Sequence, residues 1–550
     1  MPKRRDILKG AAAVVLFAAV PDLLACSSEP EATVDVPESE DPVFAHGVAS
    51  GDPLPDAVIL WTRVSALAPV EVTWEIARDL AFTSVVGRGT TTASAARDYT
   101  VKVDATGLEP ATTYYYRFGA RGLVSQVGRT RTAPLVASRL RFAVVSCSSL
   151  PHGFFHVYRA IAERPDIDAV LHLGDYIYEY GDAEYGDLRK SEPTHELLNL
   201  DDYRMRYAQY RRDEDLQEAH RQHPFVCTWD DHELADNAWK GGAENHDSAG
   251  EGPWEERKRA AQQAYSEWIP VRDQPEPGKI WRSLAYGDLA ELVFLDTRVW
   301  GRDQQAKDAQ DPTLLDAGRQ LLGADQEAWL GERLRTSEAR WKLVCQQIIM
   351  TALPAPSSTT DGWDGYPKAR ERFLDVLEQT PVNDVVVLSG DVHSSWACDL
   401  PRASADPLRY DRVTGKGSLA VELVAPAITS PGPKNASTPQ TLRDANEAIK
   451  FVDLEKRGFI LLDLDAKRAH AAYLHVPSIS NPVPQGLEFT AGFAAYAGEN
   501  RLRYEPIAPE RPTDAPPLAP APPPRVVTPS VASVASRGAV IRGRRGVPGR

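Results

Sequence analysis

Four short stretches carry the residue types that metal-dependent chemistry needs, and each follows an apolar run. They are Ser146-Cys147-Ser148-Ser149, Gly174-Asp175-Tyr176-Ile177-Tyr178-Glu179, Trp229-Asp230-Asp231-His232-Glu233 and Ser389-Gly390-Asp391-Val392-His393-Ser394. A charged cluster after a strand is commonplace by itself. Four in one chain, offering carboxylate, imidazole, thiolate and phenolate donors, point to a polynuclear metal site. An aspartate such as Asp175 can bridge two cations, and Tyr178 stands three residues on. Cys147 alone reads as a small core residue, and only its company makes it a ligand candidate.

The apolar runs before these clusters include Leu140–Val145, Ala169–Leu173, Pro224–Trp229, Ala290–Leu295, Trp341–Met350 and Val385–Leu388, with a helical stretch at Phe154–Glu163 between the first two. Strands alternating with helices predict a layered α/β domain, in which ligands gather beyond the carboxyl ends of the strands. From Val43 to about Thr132 the pattern is different: short alternating runs, such as Ala57–Arg63, Val70–Ile76, Tyr99–Val103 and Thr113–Phe118, predict a β-sandwich. Leu108–Tyr116 looks like the E–F corner of a fibronectin-III-type module, with Tyr114, Tyr115 and Tyr116 alternating between core and surface.

The 550 residues contain 62 Lys+Arg against 77 Asp+Glu, a formal charge of −15. That balance argues against a nucleic-acid binder held by a basic face. Five cysteines in such a length make no disulfide framework, and Cys227, Cys345 and Cys398 read as buried free thiols. No apolar run reaches the roughly 20 residues of a spanning helix. Arg4-Arg5-Asp6-Ile7-Leu8-Lys9, the weakly apolar Ala11–Val20 and Leu23-Leu24-Ala25-Cys26 resemble a Tat export signal joined to a lipoprotein box. Residues 1–25 are therefore expected to be a signal peptide, with a lipid anchor at Cys26 or plain cleavage without lipid. Residues 26–41 are expected to be a tether. Export through the Tat machinery would place the protein in the periplasm, cell envelope or medium. After 506 the chain is rich in Pro, Ala, Val and Arg, and 506–550 is expected to be disordered.

With these residues in order, the chain resembles the PhoD family of alkaline phosphatases and phosphodiesterases, within the calcineurin-like metallophosphoesterases and related to purple acid phosphatases. The resemblance runs from Val43 to about Leu502 and includes His46-Gly47-Val48-Ala49-Ser50-Gly51-Asp52-Pro53, Leu295-Asp296-Thr297-Arg298 and Asp361-Gly362-Trp363-Asp364-Gly365-Tyr366. It implies an N-terminal fibronectin-III/Ig-like β-sandwich over 42–135 and a four-layer αββα metallophosphoesterase domain over 138–505. It also implies iron (Fe3+) and calcium (Ca2+) as cofactors. Asp175 would bridge. Cys147, Tyr178 and His393 would hold iron, while Asp231 and Asp391, with an amide from Gln346 or Gln347, would offer oxygen to calcium. His232 is the candidate acid or charge stabiliser, or else a histidine that orients Asp230 or Asp231; Arg298 is the candidate donor to a phosphate oxygen, or else a salt-bridge residue within its loop; Asp364 and Asn237 are weaker site candidates.

The expected function is a secreted, monomeric alkaline phosphatase and phosphodiesterase. It would hydrolyse phosphate mono- and diesters with metal-activated water or oxide, for phosphate acquisition. One alternative is a phospholipase-like phosphodiesterase acting on membrane or cell-wall diesters. The alternative of another class is a non-catalytic surface binding protein whose metal site is structural.

Overall fold

The computed structural model describes residues 42–354, 359–379, 382–433 and 437–521. The expected signal peptide, Cys26, the tether and the last 29 residues of the tail lie outside the described residues.

Two sheets face each other. One has ten strands, with Arg139–Val145, Ala169–His172 and Pro224–Cys227 parallel at its centre. The other has seven, with Ala290–Phe294, Trp341–Cys345, Val385–Ser389 and Ser418–Val424 parallel. These central strands are buried and mostly apolar on both faces, the pattern of sheets covered twice. Phe142, Val144, Leu171 and Val226 of the first sheet meet Leu292, Phe294, Leu343 and Leu388 of the second in one dry core. The outer face of the first sheet is covered by the helices His156–Ala162, Leu200–Tyr210, Glu214–Gln222 and Trp254–Trp268. Ala324–Thr336 and Pro367–Gln379 cover the second. This is the αββα layering expected.

The N-terminal sandwich is present and shares its fabric with that domain. Val48–Gly51 pairs in parallel with Pro224–Cys227, so Val48–Gly51, Ala57–Arg63 and Thr100–Thr106 form one end of the ten-stranded sheet. A five-stranded sheet, including Val70–Ala77 and Thr113–Ala120, packs over them through Val58, Leu60, Ile76, Tyr114 and Tyr116. Asp52 ties this end to the second sheet: its carboxylate accepts from Arg282 Nη2 at 2.6 Å and Nε at 3.0 Å, with both side chains buried. The His46–Pro53 motif is therefore a junction rather than part of the cavity.

Two expectations are corrected here. Tyr115, on the outer side of its strand, is buried along with Tyr114 and Tyr116. What covers it is the start of the tail expected to be disordered. Through residue 521 that segment lies on the protein, with the Tyr115 hydroxyl donating to the Pro517 carbonyl at 2.7 Å. Gln222 Nε2 donates to the Ala519 carbonyl while its Oε1 accepts from the Ala519 amide, and Arg221 donates to the Pro520 carbonyl. A proline-rich strand has few amides to satisfy, so side-chain donors on the body can hold its carbonyls without a partner strand.

Candidate metal centre

The chemistry-bearing loops all leave the carboxyl ends of parallel strands. Cys147 follows Arg139–Val145, Asp175 follows Ala169–His172, and Asp230 and Asp231 follow Pro224–Cys227. From the facing sheet, Asp296 and Arg298 follow Ala290–Phe294, and Asp391 and His393 follow Val385–Ser389. The turns are sharp. Cys147, Asp175, Asp391 and His393 have φ of 62°, 55°, 65° and 51°, the left-handed region that non-glycine residues rarely occupy. Strain of this kind, about 1–3 kcal/mol each, persists where surrounding structure over-determines it and gathers at functional sites. Gly174, at φ 110°, permits the close approach of two loops: a Cβ there would lie 2.5 Å from the Asp230 amide nitrogen.

Three overlapping groups of donor atoms result: Cys147, Asp175 and His393; Asp175, Asp231 and His232; and Asp230, Asp231 and Asp391. Within each, the atoms lie within 4.8 Å of one another. Asp175 belongs to the first two, as a bridging carboxylate must. The Tyr178 hydroxyl lies 2.9 Å from Asp175 Oδ2 and 3.2 Å from His393 Nε2. His393 Nδ1 is 2.9 Å from the Pro431 carbonyl. With Nδ1–H donating there, Nε2 is left as the free lone pair facing Asp175 and Tyr178.

The electrostatics ask for cations. Burial, joined by the charge of Asp175, pushes the Cys147 thiol and the Tyr178 phenol far above their ordinary range. Burial raises Asp230 strongly, and Asp391 up to about 8, although Arg298 pulls the other way. Asp175 goes the other way: burial would raise it, but His232, His393 and Arg298 outweigh that and hold it near 2. Asp175 Oδ1 and Asp230 Oδ2 are buried without a hydrogen bond among the described residues. A buried anionic cluster with orphaned oxygens is stable only when positive charge enters it. The donor set fits metal ions.

The structure also redistributes roles. Arg298 is fully buried, with Nη1 on both oxygens of Asp361 at 2.8 and 2.9 Å, Nη2 on Asp391 at 2.6 Å, and Nε on Asp230. Its hydrogen bonds go to carboxylates, which is the ion-pair alternative to gripping a phosphate oxygen, although the partners lie on other loops: it holds the acids together. Neither glutamine is a ligand. Gln347 Oε1 accepts from Thr297 and its Nε2 donates to the Trp229 and Leu295 carbonyls. Gln346 is bonded to Ser389, Ile348 and Trp363. Asp364 lies away from the centre, fixing the Leu353 amide and Arg370. Asn237 lines the cavity, its backbone N–H donating to Asp231 Oδ2 at 2.6 Å and its side-chain Nδ2 to Glu244.

Four residues escaped sequence reasoning, the first being Asp230, which joins Asp231 and Asp391 in one donor group. Asp361 faces Arg298 and Arg302 across the cavity floor. Glu179 accepts from His232 Nδ1 at 2.7 Å and from the Asp236 amide, fixing the ring. Burial lowers the His232 pKa, but Glu179, Asp231 and Asp175 overcome it and raise the group well above an ordinary histidine. Glu233 accepts the backbone amides of Asp175, Tyr176 and Asp230, binding two ligand loops into one unit. An acid directly after the Asp-His pair was the visible signal for Glu233. Nothing marked Asp361 beyond its place in a motif.

Comparison with known proteins identifies the family and the fold. Residues 142–473 match the model of the PhoD-like phosphatase family, and residues 28–134 match that of the PhoD-like phosphatase N-terminal domain. The chain is 38% identical over 472 residues to alkaline phosphatase D of Bacillus subtilis (strain 168), covering 80% of this chain and 78% of that protein. A solved structure of PhoD superimposes with a TM-score of 0.78 at 35% identity, over 85% of this chain and 93% of that one. A purple acid phosphatase from yellow lupin (Lupinus luteus) seeds shares the fold, with a TM-score of 0.52 at 15% identity over 80% of this chain and 73% of that one.

Proposed function

Because the chain belongs to the PhoD-like phosphatase family, and so is a hydrolase of phosphoric esters, we propose that it cleaves phosphate mono- and diesters at the centre described above. The observation that carries this reading is the convergence of Cys147, Asp175, Tyr178 and His393 beside Asp230, Asp231 and Asp391, where Asp175, Asp231, Asp391 and His393 line a cavity of about 650 Å3. Cys147, Tyr178 and His393 would hold iron, since thiolate and phenolate are strong anionic donors for a transition metal. Asp230, Asp231 and Asp391 would hold calcium, a hard ion that takes oxygen, and Asp175 would serve both. Bound there, the ions activate the attacking water and neutralise charge on the phosphate.

The chain's own groups do the rest. Glu179 accepts Nδ1–H of His232 and so leaves its Nε2 side to face the cavity, where a proton can pass to the departing alkoxide. Arg298 and Glu233 keep the acids and their loops in register. Metal analysis of natively produced protein, with a panel of mono- and diesters, tests the assignment. Iron and calcium together with ester turnover are expected, and full activity restored by zinc alone in calcium-free buffer would overturn the calcium half.

The role in phosphate acquisition outside the cytoplasm rests on the Arg4-Arg5 signal. Among the described residues no helix is long and apolar enough to cross a membrane. Replacing Arg4 and Arg5 together with Lys should trap the protein inside the cell, read by fractionation with an activity assay. Active, metal-loaded double-Lys protein in the envelope would refute that route.

A further inference from the structure

The cavity has two unlike sides. One is the polar centre. The other is made of Leu353, Val392, Trp396, Pro431, Leu442 and Leu454. Leu353, Val392 and Leu454 are only partly buried, and they pack on a closed apolar cluster that includes Trp396, Leu442 and Val452. Val392 stands between Asp391 and His393, so the apolar surface begins at the ligands themselves. The wall is also built to stay in place. The Leu353 amide donates to Asp364 Oδ2 at 2.9 Å, Asp364 in turn accepts from Arg370 at 2.7 Å, and Asn446 Nδ2 holds the Ala352 carbonyl at 2.6 Å. The Trp396 indole N–H is taken up by Ser394 Oγ at 2.8 Å, which leaves a face with no polar demand.

Apolar side chains held open beside a charged centre are costly in water, and a ligand's hydrocarbon recovers that cost on covering them. A small polar phosphate monoester would leave the wall wet. We propose that this wall receives a hydrocarbon arm of the ester, so that phosphodiesters carrying one alkyl or aryl substituent beside the leaving group are the favoured substrate class. Leu353 and Leu454 are its specificity-determining residues. This rests on the reading of the site as a metal-dependent phosphoesterase.

The test is a series of p-nitrophenyl alkyl phosphates, methyl to hexyl, given to the metal-loaded full chain. The leaving group is then constant and only the arm varies. Each methylene should raise kcat/KM about three- to fourfold over the first carbons. In Leu353→Asn and Leu454→Asn that gradient should flatten; it is read within each variant, so a general loss of activity cancels. Good turnover of the methyl ester with no gradient in the unaltered protein overturns this inference and leaves the phosphoesterase reading intact. An unchanged gradient in both variants likewise overturns it. No turnover of any member overturns the underlying reading and this one with it.

Discussion

The two halves of the centre meet at Asp175 yet are built by different means. On one side Cys147, Tyr178 and His393 bring three donor types, and each is held by neutral partners: Ser146 for the thiol, Ser430 for the phenol, the Pro431 carbonyl for the imidazole. On the other side Asp230, Asp231, Asp361 and Asp391 are all carboxylates, and they surround the guanidinium of Arg298. The first half selects its cation by donor chemistry. The second gathers four carboxylates around one guanidinium, an oxygen-only donor set that suits a hard cation. On the proposed assignment, this difference in donors is what would let one fold take a transition metal and a hard divalent ion side by side.

Breaking the shared residue should have the largest effect. Asp175→Ala removes the carboxylate common to both halves, and activity should fall on the order of ten-thousandfold with loss of both metals, measured by elemental analysis and ester turnover. Retention of either metal in full would show that the halves do not share it.

Breaking one half at a time sharpens the contrast. Cys147→Ser exchanges a thiolate for a poorer neutral donor, so iron and any visible charge-transfer band should be lost while calcium binding persists; activity should drop about a hundredfold. Unchanged iron would make Cys147 a packing residue. Asp391→Asn should do the reverse, weakening calcium about ten- to a hundredfold by titration with iron content unchanged.

The smallest effect is expected at Arg298→Lys. An ammonium keeps the charge but cannot fork to Asp230, Asp361 and Asp391 together. Calcium affinity should shift about tenfold, with iron content the same. A variant indistinguishable in both would mean that charge, and not the fork, organises the acids.

Legibility followed locality. Cys147, Asp175, Asp231, Asp391 and His393 could be picked out as candidates because each lies two to four residues beyond an apolar strand, where the architecture concentrates ligands. Glu179 and Glu233 were in view in the same motifs, but their partners are loops from other strands, so their roles were not. Gln346 and Gln347 occupied the right strand end, and only their hydrogen-bond partners showed that both amides are consumed inside the structure. The alternation of Tyr114, Tyr115 and Tyr116 between core and surface failed at Tyr115, because nothing in a local pattern announces that a segment some 400 residues away will cover it.

By itself, then, the sequence determined the layered α/β class, the sandwich before it, and the donor types gathered at the strand ends. These follow from side-chain periodicity and residue chemistry, which act over a few residues. The tertiary structure decided which oxygen faces which loop: Arg298 turned inward onto four carboxylates, Asp361 brought in from a distant segment, and an apolar wall set against the metal centre. Those outcomes depend on long-range packing and on the balance of buried charge, and neither is written in any local stretch of the chain.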